Sequence, residues 1–232
     1  MITLRPAASR GFEERDWLRS YPSFSFAGFH DPDYMNFRAL RVINEDYIAP
    51  GRGFDTHPHR DMEIITYVLE GAVSHRDTLG SEGITRAGEA QAMTAGRGIR
   101  HSEFNPADDT PLHLLQIWIV PNRTGLQPGY RQRAFSAIEK EGRLCLVVSV
   151  DGRRDSLAIN QDVDLYASLL KTGQSVEHVL APGRFGWLQV ASGALRLNEV
   201  ALGAGDGAAI SDERRLEIAA ESDAEFLLFD LN

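Results

Sequence analysis

Cysteine is almost absent from this chain. The single residue, Cys145, excludes an intrachain disulfide, and its setting in Leu144-Cys145-Leu146-Val147-Val148 marks it as a small buried hydrophobe. Long apolar runs are missing too: no segment approaches the ~20 residues that a membrane helix requires. Met1 is followed by Arg5, Pro6, Arg10 and the charged stretch Glu13 to Asp16, not by the apolar core of a secretory signal. A cytoplasmic protein with no membrane contact is therefore expected. Basic charge is in deficit, with 33 Asp and Glu against 24 Lys and Arg and a pI near 5.3. The short pairs Arg97/Arg100, Arg131/Arg133 and Arg153/Arg154 lack the density of a phosphate-binding surface, which argues against nucleic acid as a direct partner. Helical periodicity is weak everywhere, and Glu13 to Ser20 is the best candidate for a turn or two of helix.

What the chain does contain is short strand-like segments rich in branched and aromatic residues: 39–48, 63–69, 72–79, 112–120, 144–150, 187–190, 195–198 and 225–229. Glycine turns punctuate them, the pattern of an all-β sandwich or barrel. At 232 residues the chain suits one large domain or two smaller ones. An internal echo favours two. Tyr67 to Gly71 is followed by Ala87-Gly88-Glu89, and Gln189 to Gly193 by Ala204-Gly205-Asp206. The changeover falls between Pro121 and Leu144, giving an expected division into residues 1–135 and 136–232.

Two pairs of metal-capable side chains stand about 40 residues apart, His57-Pro58-His59 and His101-Ser102-Glu103. Each is spaced i, i+2, so on a strand both members share a face. Adjacent strands would aim three imidazoles and one carboxylate at a single point. Counting 14 and 12 residues back from Gly71 reaches His57 and His59, whereas the same count from Gly193 reaches Val179 and Ala181; a register shift of one would bring His178 into the first slot. Counting 13 and 15 forward from Gly88 reaches His101 and Glu103, but from Gly205 it reaches Ile218 and Ala220. The second half thus reads as a repeat without the site.

Gly51-x5-His57-x-His59-x3-Glu63 and Gly88-x5-Thr94-x-Gly96-x4-His101 resemble the two motifs of the cupin barrels. Gly71 comes one residue late, Thr94 stands in a usual proline position and two extra residues precede His101. The string Thr56-His57-Pro58-His59-Arg60, Glu63, Tyr67, Glu70-Gly71, His75-Arg76-Asp77 and Thr94 to Glu103 resembles the pirin family. That resemblance, dense over residues 35 to 125, implies a bicupin: two packed β-barrels of the jelly-roll type with few short helices, and metal in the first alone. It implies His57, His59, His101 and Glu103 as ligands, with Glu63, a ligand in generic cupins, placed in support behind them.

Three imidazoles and a carboxylate suit one borderline divalent ion, Fe(II) first, with Mn, Co, Ni, Cu or Zn also compatible. Its affinity is expected to fall between about pH 7 and 5 as the imidazoles protonate. The resemblance further implies quercetin 2,3-dioxygenase chemistry. A flavonol loses its 3-hydroxyl proton to Glu103, the catalytic base, and reacts with O2 to open the ring and release CO. The alternatives are an iron-containing regulatory protein acting through a protein partner, and another cupin enzyme such as an isomerase. Among the remaining candidates, His75 and Asp77 are expected as a polar pair on a barrel edge, and His113 inside the barrel. His30 and His178 are expected as surface or packing residues. Tyr21, Phe24, Phe26 and Phe29 are expected to cover a pocket mouth or to fill core.

Overall fold

The computed structural model describes residues 1–232. In chain order its strands are β1 (Ile2–Arg5), β2 (Glu13–Arg15), β3 (Leu18–Pro22), β4 (Leu40–Ile48), β5 (Gly53–His59), β6 (Glu63–Glu70), β7 (Ala72–Asp77), β8 (Glu82–Arg86), β9 (Glu89–Thr94), β10 (Ile99–Phe104) and β11 (Leu112–Ile119). The series continues with β12 (Gly129–Ala134), β13 (Cys145–Ser149), β14 (Leu157–Ala158), β15 (Val163–Leu170), β16 (Ser175–Val179), β17 (Phe185–Ser192), β18 (Ala194–Leu197), β19 (Val200–Gly203), β20 (Gly207–Ile210), β21 (Arg215–Ala220) and β22 (Ala224–Leu231). The α-helix is one turn, α1 (Ala137–Lys140), held by a capping box between Ser136 and Glu139. No helix is long and apolar enough to cross a membrane.

The chain forms two compact units. In Gly11–Ala134 with Leu157–Gln161, a sheet ordered β12-β9-β6-β11-β4-β3-β2 meets one ordered β5-β10-β7-β8. In the other unit the smaller sheet runs β16-β21-β18-β19, the same order with every label eleven higher. Its larger sheet repeats β9-β6-β11-β4 as β20-β17-β22-β15. The fold is therefore the all-β bicupin that the motifs implied.

Residues Met1–Arg10 belong to the second unit, not to the first as the division at 135/136 has it, because β1 pairs with β20 (Ile2↔Ile210). There β1 covers the strand edge that β12 covers on β9 in the first unit, so β1 and β12 are the edge strands of the two large sheets.

The candidate helix at Glu13 to Ser20 is instead the hairpin β2–β3, with Glu13 opposite Ser20. Its buried positions Leu18, Ser20 and Pro22 alternate with more exposed neighbours, a period of two that no helix satisfies. Cys145 is half-buried, not buried.

Gly71 and Gly193, the echo positions, turn β6 into β7 and β17 into β18 at φ +75° and +77°. A Cβ at Gly71 would lie 2.6 Å from the Pro111 carbonyl oxygen, and one at Gly193 2.1 Å from that of Asp223. Glycine is required at both corners on conformational and steric grounds.

Candidate metal centre

The strands β5 and β10 pair antiparallel with His57 opposite His101 and His59 opposite Ile99. Alternation turns both β5 histidines and His101 inward, and their ligand atoms lie within 4.8 Å of one another. A bulge between His101 and Glu103 sets Glu103 opposite Phe54. Glu103 falls in a second group, with His75 and His101, so the two groups share His101.

The three imidazoles are prepared to donate lone pairs. The His57 Nδ1 lies 2.7 Å from the Asp55 carbonyl oxygen, a contact that requires an N–H and leaves Nε2 unprotonated. Burial and then the neighbouring imidazoles push His59 down to about 4 and His101 down to about 3. His101 Nε2 is buried without a hydrogen-bond partner, a costly state that a cation would relieve. The donor set and this orphaned nitrogen fit a divalent metal. Proton uptake at His59 and His101 is thus displaced below the range of ordinary imidazoles.

Glu103, 3% exposed, is held by residues of the opposite sheet. Its Oε1 accepts from Gln91 Nε2 at 2.8 Å and Thr66 Oγ1 at 3.1 Å, and its Oε2 from Gln116 Nε2 at 2.8 Å. The Gln91 Oε1 accepts from Thr85 and Tyr130, both at 2.9 Å, which turns the Gln91 amide hydrogens toward the carboxylate. The single Thr66 hydroxyl hydrogen also lies 3.2 Å from Gln116 Oε1, so the carboxylate keeps room for one or two further partners. Gln91, Thr66, Gln116 and Asn44 are mutual cross-strand neighbours, forming one polar row across β9, β6, β11 and β4.

His75 stands behind His101, with Nδ1 to Nδ1 at 3.4 Å, while its Nε2 lies 3.2 Å from Asp77 Oδ2. Tyr130 stacks on the His75 ring at 4.1 Å. Burial would raise Asp77, but bonds from His75 and from the Ser81 and Leu79 amides outweigh it and hold the carboxyl below its usual range. The expected edge pair is thus a fully buried one, since β7 lies inside its sheet between β10 and β8.

Glu63 joins neither group. It faces the other side of β6 from Thr66, where its carboxylate accepts from Thr94 Oγ1 at 2.8 Å and Asn160 Nδ2 at 3.1 Å. His113 also lies opposite the cavity side of its strand, bonded to Glu45 at 2.9 Å and stacked on Tyr47, so it does not occupy the barrel interior. His30 is exposed. Of the four aromatics, Phe26 lines the cavity and packs edge-on against Trp118 at 5.3 Å, whereas Phe24 is core.

In the second unit, Val176 stands opposite Ile218 and His178 opposite Leu216. Counting from Gly205 places Leu216 and Ile218 where the first unit has Ile99 and His101, so Val176 and His178 match His57 and His59. The backward count that gave Val179 and Ala181 misses by three residues, because the connection from His178 to Gly193 is three longer than that from His59 to Gly71. His178 takes the second slot and bonds Asp230 at 2.8 Å. Across the sheet the polar row becomes Ala208, Leu188, Leu228 and Tyr166.

Thr66, Gln91, Gln116, Asn44 and Asp46 escaped the motif reading. Their signal was parity: each is a polar residue at an inward position of its strand.

Residues 4–119 match the family model described as Pirin, and residues 146–231 the one described as Quercetinase C-terminal cupin domain. The chain is 51% identical, over 100% of its length and 99% of the relative's, to "Quercetin 2,3-dioxygenase" of Escherichia coli strain K12. It is 42% identical over 99% of both lengths to "Pirin-like protein" of Caulobacter vibrioides. Among solved structures, bacterial pirin YhhW in complex with nickel(II) from Escherichia coli superposes with a TM-score of 0.95 at 49% identity, covering 100% of this chain and 99% of that one.

Proposed function

Because the chain belongs to the pirin family, we propose that it is a metal-dependent dioxygenase that opens the ring of a flavonol such as quercetin with O2 and releases CO, in the manner of a quercetin 2,3-dioxygenase. The observation that carries this reading is the unpartnered His101 Nε2, converging with His57 and His59 on the wall of a mainly apolar cavity. In this reading His57, His59, His101 and Glu103 hold one divalent ion, Fe(II) ahead of Mn, Co, Ni, Cu and Zn, and the second barrel holds none. When bound, the ion brings the ionised substrate and dioxygen together for ring opening.

The chain's own residues supply the rest. Glu103 accepts the 3-hydroxyl proton, and the donors on Gln91, Thr66 and Gln116 hold the carboxylate in place. Ile64, Phe54, Leu18 and Trp118 give the cavity apolar walls that exclude bulk water and take a flat aromatic body. The deciding experiment is an oxygen electrode with CO detection on protein loaded in turn with each candidate metal, after metal analysis of untagged protein. Stoichiometric O2 uptake and CO release with a flavonol are expected. Neither gas changing, across several flavonols and all metals, rejects the enzyme and favours an iron-dependent regulatory role.

A further inference from the structure

In the first unit three buried side-chain polar atoms lack a hydrogen-bond partner: His101 Nε2, Asn44 Oδ1 and Asp46 Oδ1. All three residues line the same cavity. The nitrogen is accounted for by the metal reading, but the two oxygens are not. Asn44 and Asp46 sit i, i+2 on β4, each 3% exposed, and share an inward face. Asn44 continues the polar row next to Gln116, yet its acceptor takes nothing from that row. Ser20 bonds the Asp46 carboxyl but leaves Oδ1 open. The cavity walls beside them are Leu18, Phe26, Phe54 and Trp118.

We propose that Asn44 and Asp46 form an acceptor pair that selects aromatic substrates carrying hydroxyl donors in addition to the group presented to the metal. Two buried acceptors beside apolar walls favour a ligand that brings donors and disfavour an analogue that leaves them unpaired. A flat polyphenol meets both halves of the wall, its ring against Trp118 and Phe26 and its peripheral hydroxyls against the two oxygens. This inference rests on the reading of the cavity as the substrate site and deepens it.

The test is anaerobic binding of quercetin and of 3-hydroxyflavone, which lacks the other hydroxyls, to metal-loaded protein, followed by tryptophan fluorescence. Quercetin is expected to bind at least about tenfold more tightly. Asn44→Leu and Asp46→Leu should each weaken quercetin several-fold while moving 3-hydroxyflavone less than twofold, and Asp46→Asn, which keeps an acceptor oxygen, should restore most of the preference. Equal affinity of the two flavonols for the wild-type protein, or failure to bind either, overturns the inference even where a variant fails to fold. No turnover is read here, so tight and selective binding without O2 uptake would sink the dioxygenase reading and leave this one standing.

Discussion

At Glu103 three donors converge on one carboxylate, and this makes a seemingly mild substitution informative. Glu103→Gln keeps the shape but brings an amide NH2 against Gln91, Thr66 and Gln116, so one donor loses its acceptor at about 1–3 kcal/mol. Metal-free protein should melt several degrees lower in calorimetry, and loaded protein should lose turnover by more than it loses metal. Full turnover would remove Glu103 as the base. His75 offers a second test, since it is expected to act on the ion only through His101. His75→Phe keeps the ring stacked on Tyr130 but abolishes the Nδ1 contact, and should weaken metal binding by about 10–100-fold in a competition titration. An unchanged affinity would make His75 mere packing. The histidine pairs were legible in the sequence because i, i+2 spacing is a local signal. The residues that hold Glu103 were not, because Gln91, Thr66 and Gln116 come from three strands and only the sheet register brings them together.

At the level of elements, the corners position the site. Gly71 ends β6, which carries Thr66, and begins β7, which carries His75. Gly71→Ala forces an ordinary residue to φ +75° with its methyl against the Pro111 carbonyl, and should cost more than about 1 kcal/mol. A fall in melting temperature accompanied by weaker metal binding would show the corner transmitting strain to the site; an unaltered melt would contradict the geometry. The repeat of glycine corners was readable because a positive φ leaves a mark in sequence. The hairpin β2–β3 was not, since the charged run at Glu13 to Asp16 looks like a helix start when its partner strand β4 is out of view. The echo failed between β16 and β17 for a related reason: connection lengths vary freely while strand order does not.

On the scale of the molecule, fold and metal should separate. Apolar burial dominates both units, so His59→Ala should stay folded and become metal-poor, as circular dichroism with metal analysis would show. The pH response of metal-free protein follows from opposing groups. Between about pH 6.5 and 4 the unfolded chain protonates His59 and His101 while the folded chain does not, so stability falls on acidification. Asp46 acts the other way. With a folded value near 7 it binds its proton in the native state, and its contribution shrinks as pH rises from about 4 to 7. Two imidazoles outweigh one carboxyl, giving a net loss in acid, and Asp46→Asn should steepen it. A melting temperature flat from pH 7 to 4 would contradict these assignments.

The apolar floor of the second barrel is as self-consistent as the polar floor of the first. Ala208, Leu188 and Leu228 stand where the first barrel has Gln91, Thr66 and Gln116, and Ala220 stands where it has Glu103. A carboxylate introduced alone at Ala220 would be buried without donors, and any donor introduced alone would be buried without an acceptor. Each first step is uphill, and so is each single step from the polar floor, where losing Glu103 alone would leave Gln91, Thr66 and Gln116 without their acceptor. The two floors are thus alternative self-consistent sets, and one converts to the other only through several substitutions made together.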